Sequence, residues 1–325
     1  NFLFILLINY KWRIFVNFFN IYDSPGSRKL HKKKIPLIGG TIIILNFFFV
    51  FIVYNILEVQ NIYLDLFNVN KIKFLYFIFF IFICSYLVGL YDDKFNLKND
   101  IKTFCNLIII FSFFLAIPHY EINVIKFSND YVITVDKISL IFSSLVIVSL
   151  ITIMNLYDGI DLQAGLFYLL NLIFLFFITK NFILFFLSLS IIFFLVKNYK
   201  KKTFLGDSGV AFLTLITAIV YINIYNQENK IVYFDHMILI FFLPILDSIR
   251  LFFTRIKKGK SPLTSDNNHF HHLMLLNNNI FIANLKSLTF LLISFCIVIL
   301  EINTLFGFII NILLYLFLLK NAKVF

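Results

Sequence analysis

The chain is a succession of apolar stretches, at 1–10, 38–57, 73–91, 103–118, 137–154, 164–179, 182–197, 208–225, 232–253, 285–300 and 302–319, joined by short polar loops. A bilayer core is crossed by about 20 apolar residues in a helix, and there the backbone must satisfy its own hydrogen bonds. That constraint predicts an all-α polytopic membrane protein of about eleven transmembrane helices. Several stretches are shorter than this and must borrow flanking residues. Composition agrees: 61% of the residues are hydrophobic and 14% charged, where a soluble domain is roughly half apolar and about a quarter charged. No repeat, soluble domain or long linker interrupts the pattern, so 1–325 reads as a single polytopic domain. Residues 1–10 are half a span followed at once by Lys11 and Arg13, so the first helix is expected to be truncated upstream. A signal peptide would carry its charges before the apolar run.

Threading eleven helices from an outside N-terminus puts 22 of the 28 Lys and Arg residues in one set of loops and six (Lys71, Lys73, Lys126, Lys137, Lys180 and Lys230) in the other. Basic residues favour the cytoplasmic side, so the first set is expected in the cytoplasm and the chain in the inner membrane. The same set collects Asp23, Asp92, Asp93, Asp100, Asp158, Asp161, Asp207 and Asp266, with His31, His269, His271 and His272. It also holds every glycine except Gly307, while Glu58, Glu121, Glu228 and Glu301 fall at the opposite face. Spanning alone would not segregate aspartate and glycine in this way, so the chemistry is expected in the cytoplasmic loops. The basic surplus belongs to these loops, and no nucleic-acid partner is implied. Cys84, Cys105 and Cys296 lie inside apolar stretches with no CxxC pair and read as small hydrophobes.

Five motifs stand in those loops. Asp92-Asp93 closes the third apolar stretch; adjacent carboxylates repel unless a cation joins them, and Mg²⁺ typically takes one or two carboxylates plus substrate phosphates. Asn155, Asp158 and Asp161 recur every three residues around the turn signal Asp158-Gly159. Gly206-Asp207-Ser-Gly209 stands before an apolar run and after Lys200–Lys202, where a helix N-terminus could hold phosphate or the aspartate a metal. His269, His271 and His272 end the longest basic loop with no cysteine nearby, which favours phosphate or sugar contact over zinc. Asp23, Arg28, Lys29 and His31 precede Gly39-Gly40, and the cations could hold a pyrophosphate or a lipid head group. Each motif also has a plainer reading as a solvated terminus, a helix cap or positive-inside charge.

In this order and threading, the five motifs together resemble the polyprenyl-phosphate N-acetylhexosamine-1-phosphate transferases, a superfamily with a similar helix count. The resemblance runs from Tyr22 through His272. It implies catalytic roles for Asp92, Asp93, Asp158, Asp161 and His269, and substrate contacts from Arg28, Lys29, His31, Asn155, His271 and His272. It implies Mg²⁺, or Mn²⁺ in its place, on Asp207 and Asp93. A UDP-sugar, a polyprenyl phosphate lipid and the membrane are the implied partners, with a homodimer as a further one. The His-x-His-His form is closer to the N-acetylhexosamine branch than to the peptidoglycan branch. Two positions depart from the family pattern: Leu162 stands where a Gly is usual and Val210 where a Ser is usual.

The implied reaction joins a lipid monophosphate to the sugar-bearing phosphate of the UDP-sugar and expels UMP. Three other readings fit the hydropathy. A transporter of lipid-linked sugars would place its polar site near the bilayer midplane, and a CDP-alcohol phosphotransferase would continue Asp158-Gly159 differently. An inactive scaffold of the same architecture would keep the helices without the chemistry.

Overall fold

The computed structural model describes residues 6–8, 10–26, 31–57, 61–69, 71–227, 232–259 and 268–322. In chain order the helices are α1 (Trp12–Phe19), α2 (Gly39–Ile56), α3 (Asn61–Phe67), α4 (Ile72–Phe95), α5 (Asn99–Ala116), α6 (Ser139–Tyr157) and α7 (Gln163–Thr179). They continue with α8 (Phe182–Tyr199), α9 (Gly206–Asn226), α10 (Phe234–Ile240), α11 (Phe242–Lys257), α12 (Phe270–Leu276), α13 (Ile280–Ile299) and α14 (Thr304–Asn321). Among the described residues seven helices are long and apolar enough to cross a membrane. The pair α10 and α11, bent by 74°, makes an eighth span if taken as one, and α2 and α7 are shorter apolar helices. Ten of the eleven apolar stretches are therefore helices, although fewer meet the length of a full span.

The short helices α3 and α12 lie in segments expected as loops, and two further differences have a plain local cause. The stretch 232–253 is broken at Phe241, where Pro244 lies in the first turn of α11 and has no N–H to continue the ladder of α10. Residues 12–19, expected in a loop, form α1. Trp12, Phe15, Val16 and Phe19 recur at helical spacing and pack on Ile38 and Ile42 at the start of α2.

Helix α9 is buried along its whole length and is the axis on which α2, α4, α6 and α7 pack. Its side chains are apolar on all faces, as a helix enclosed by other helices must be. Its few polar groups find partners: Tyr168 Oη lies 2.6 Å from Thr214 Oγ1, Tyr221 donates to Asn171 Oδ1 at 2.8 Å, and Asn223 Nδ2 donates to Leu66 O at 2.8 Å. At the basic end of the bundle α9 meets α2 and α4 backbone to backbone. A Cβ on Gly89 would lie 2.5 Å from Ser208 Cα, and one on Gly40 would overlap Gly209. Small residues at such crossings let helices in a membrane approach closely.

The chain before α9 is fastened to the chain before α2. Gly39 and Gly40 donate their amides to Phe204 O and Leu205 O, each at 2.9 Å, and Phe204 N donates to Pro36 O at 2.9 Å. A two-residue antiparallel ribbon of β1 (Tyr22–Asp23) and β2 (Ile35–Pro36) closes the first basic loop beside them. At the opposite end β3 (Val124–Lys126) and β4 (Val132–Thr134) form a hairpin. There Asp235 accepts hydrogen bonds from Ser128 and Thr304.

Candidate active site

The ends of α4, α6 and α8, the starts of α9 and α12 and the first basic loop meet at the basic end of the bundle around a cavity of about 680 Å³. Asp92, Asp93, Asp158, Asp161 and Asp207 all line it, so residues from three separate motifs share one chamber.

Asp92 and Asp93 are adjacent on α4 and therefore point about 100° apart. Asp93 turns to the N-terminus of α9. Its Oδ1 accepts from Asp207 N at 2.8 Å, and its Oδ2 from Ser208 N at 3.1 Å and Ser208 Oγ at 2.8 Å. A carboxylate at a helix N-terminus satisfies amides that would otherwise lack partners and favourably meets the dipole. Both Asp93 oxygens are thereby engaged, which leaves Asp207 as the more available metal donor. The same capture occupies the amides of Asp207 and Ser208, two of those that the sequence reading had offered to a substrate phosphate.

Asp92 accepts from Leu97 N at 2.7 Å and from Lys102 Nζ at 2.8 Å. Lys102, buried in the first turn of α5, also donates to Asp207. One ammonium thus joins the carboxylates of two motifs that lie more than a hundred residues apart. Sequence reasoning counted Lys102 only as positive-inside charge. The signal for it was its place at the start of the helix that follows the paired aspartates.

Asp158 and Asp161 flank Gly159 beyond the end of α6. The carboxyl of Asp158 is pushed up to about 7, first by burial and then by the charges of Asp93 and Asp161. Burial also raises Asp161, against the opposing pull of Lys201 and His31. Lys201 Nζ stands 3.9 Å from Asp161 Oδ2. Leu162 has φ 73°, the left-handed conformation, and donates its amide to Asn198 Oδ1 at 2.6 Å. A glycine adopts this conformation without steric cost. Leu162 therefore departs from the family pattern at a position whose left-handed backbone would suit a glycine, and Asn198 holds it in place.

A carboxyl pushed up to about 7 is favoured in its protonated form by the fold, so it contributes stability at low pH that is lost as pH rises through about 7. Asp158→Asn removes that loss. In metal-free buffer the variant is expected to gain a few degrees of melting temperature over wild type at pH 8.5, with the gap narrowing as pH falls through about 7 and closing only near the ordinary carboxylate value of about 4. Parallel melting curves across that range would contradict the shift.

Of the three histidines, His272 lines the cavity and His269 and His271 lie buried beside it. The ring of His271 rests against Gly159, where a Cβ would overlap it. Burial lowers His271 well below the usual imidazole range, and its Nε2 has no hydrogen-bond partner among the described residues. His269 Nδ1 is 3.1 Å from Asp247 Oδ2. His31 lines the cavity, with Nε2 2.9 Å from Asp23 Oδ2 and Nδ1 2.7 Å from Lys33 O. Asn155 does not line it; its Oδ1 is buried with no partner among the described residues. Arg28 and Lys29 lie outside the described residues, as does Asp266.

Among the described residues no three His, Cys, Asp or Glu side chains converge as a metal cage. Mg²⁺ does not require one, since it keeps waters and takes substrate oxygens beside one or two carboxylates. Asp207 offers such a donor: its side chain is 37% exposed, and one oxygen is left beside that bound to Lys102. The residues therefore fit a hard divalent ion shared with a phosphate ligand better than a resident protein-only site.

Fold and cavity define a many-helix membrane protein with a carboxylate-lined polar chamber at the basic end of its bundle. Residues 74–225 match the glycosyl transferase family 4. The chain is 25% identical over 291 residues to the undecaprenyl-phosphate alpha-N-acetylglucosaminyl 1-phosphate transferase of Pasteurella multocida, covering 78% of this chain and 71% of that one. Its namesake in Haemophilus influenzae is 25% identical over 294 residues, covering 81% and 74%. The one in Yersinia pestis is 22% identical over 267 residues, covering 78% and 69%. In these matches the chain is similar to the polyprenyl-phosphate N-acetylhexosamine-1-phosphate transferases that its five motifs resemble.

Proposed function

We propose that the protein transfers N-acetylhexosamine-1-phosphate from a UDP-sugar to polyprenyl phosphate, with its basic end and cavity in the cytoplasm. The observation that carries this reading is the chamber lined by six aspartates, Asp23 among them, two of which, Asp92 and Asp207, are joined by Lys102. The names of the three relatives support it. A site at one end of the bundle is also where a soluble nucleotide and a lipid head group can meet, whereas a transport site would sit near the midplane.

Phosphoryl transfer asks mainly for positioning and charge neutralisation. An oxygen of the lipid phosphate attacks the sugar-bearing phosphorus, the bond between the two phosphates of the UDP-sugar breaks, and UMP leaves. A phosphate monoester loses its second proton near pH ~6, so the acceptor arrives mostly as the dianion and needs no strong base. Lys102 supplies a fixed positive charge between the aspartates. Lys201 and His272 stand at the cavity wall within reach of an anionic substrate. Asp207 would hold Mg²⁺, with Mn²⁺ as its substitute; the ion supplies neutralisation of pyrophosphate charge. Asp93 holds the helix that carries Asp207 in place.

The test is transfer of label from UDP-[³H]GlcNAc to undecaprenyl phosphate in membranes, with and without Mg²⁺. Label is expected in the lipid phase with Mg²⁺, and Asp207→Asn is expected to lower it at least about 100-fold, the effect of removing a charge-stabilising group. Folded protein that transfers nothing from a panel of UDP-sugars would sink the reading.

A further inference from the structure

Asp247 is an ionisable residue inside an apolar run, a place where such residues are costly and carry a purpose. It sits on α11, beyond the break at Phe241, with its side chain buried. Its Oδ2 lies 3.1 Å from His269 Nδ1 and accepts from Phe270 N at 3.1 Å, the first amide of α12. Its Oδ1 accepts from Arg250 Nη2 at 2.8 Å and from Tyr315 Oη on α14 at 2.7 Å. Arg250 extends the network: its Nε donates to Tyr315 Oη at 2.7 Å and its Nη2 to Asn268 O at 2.5 Å. Three segments that are far apart in the chain are thus locked together where the basic loop enters α12.

We propose that Asp247 is the positioning residue of the histidine turn, holding His269 and the first amide of α12 so that His272 stands at the cavity wall. A carboxylate beside Nδ1 accepts the proton carried there and so sets the ring's orientation. The His269 ring lies parallel to that of His271, at 7° and 5.5 Å between centroids. The His271 ring is 4.4 Å from that of His272 and rests on Gly159. Alignment set at Asp247 therefore passes through side-chain contacts to the turn that carries Asp158. Arg250 balances the charge, and Tyr315 adds a neutral hydrogen bond from the last described helix. The arrangement mirrors Asp93 at α9: in each case a carboxylate from one helix captures the N-terminus of another that carries residues of the site.

The transfer assay rests on the function proposed above, so a second measurement is independent of it. In the full chain in lipid nanodiscs, Asp247→Asn is expected to raise KM for the UDP-sugar at least five-fold, and His269→Gln to do the same. The double variant is expected to stay within two-fold of the worse single one, because both remove one alignment. Tyr315→Phe, which keeps the charge pair, is expected to shift KM in the same direction by less and guards against a variant that fails to fold. Separately, a cysteine placed by His272→Cys in a background of Cys84→Ser, Cys105→Ser and Cys296→Ser reports the position of the turn through its rate of alkylation. Adding Asp247→Asn is expected to change that rate at least three-fold. An unchanged KM with kcat reduced only in proportion to folded protein, additive single effects, or an unchanged alkylation rate would each overturn the proposal. If wild type transfers no sugar phosphate, the proposed function fails while the alkylation rate still decides the role of Asp247.

Discussion

Lys102→Met is expected to lower sugar-phosphate transfer at least about 100-fold, while leaving a protein that still inserts and can be purified. The ammonium serves Asp92 and Asp207 at once. Methionine fills much of the same space but leaves both carboxylates without their cation. Breaking a buried ion pair by removing one partner costs about 3–5 kcal/mol. The Asp92 side chain is 14% exposed and should feel most of this; Asp207, at 37% exposure, is screened by solvent and should feel less. A divalent ion can restore part of the balance, so the melting temperature of the variant should rise more steeply with Mg²⁺ than that of wild type. Lys102→Arg is expected to recover only part of the activity, because a planar fork does not replace a compact ammonium between two carboxylates. Transfer by Lys102→Met within three-fold of wild type would show that this cation is a helix anchor with no part in the chemistry.

Gly206→Ala should be more damaging still, through the backbone. Gly206 has φ +76°, and a side chain in the left-handed region costs about 1–2 kcal/mol. The added Cβ would also stand 2.6 Å from Asp93 Oδ2. Asp93 has little room to withdraw, since it is held by Asp207 N, Ser208 N and Ser208 Oγ. Moving it would uncap α9, and loss of a cap costs about 1 kcal/mol before strain is counted. The expected result is a fall of several degrees in melting temperature and transfer below detection, since Asp207 is the next residue. Gly259 is the natural control. It also has positive φ, +65°, but among the described residues no atom would meet its Cβ within 4 Å, so Gly259→Ala should cost strain alone. Equal losses for the two variants would mean that the contact with Asp93 does not matter.

Hydropathy was enough to foretell the class of fold and most of the helices, because hydrocarbon allows few backbone solutions and each announces itself as a long apolar run. It went wrong where length was not the deciding property. A proline broke the run 232–253 at Phe241, and residues 12–19 coiled because Trp12, Phe15, Val16 and Phe19 find a surface in Ile38 and Ile42. The end of the bundle that holds the aspartate-lined cavity was also legible, since aspartate and glycine would not gather at one face of a chain that only spans.

The motif residues Asp92, Asp158, Asp161 and Asp207 could be named from local patterns, and packing brought them to one cavity. The division of labour among them could not be read in the same way. Asp92 and Asp93 are neighbours in sequence, yet one faces Lys102 and the other caps α9, because successive residues on a helix point in different directions. His269, His271 and His272 look alike in a string, yet only His272 lines the cavity while the other two are buried behind it. Lys102, Asn198 and Asp247 carried no motif at all. Their roles come from contacts across 105, 36 and 22 residues of chain. Such contacts depend on how helices cross, which local spacing does not encode.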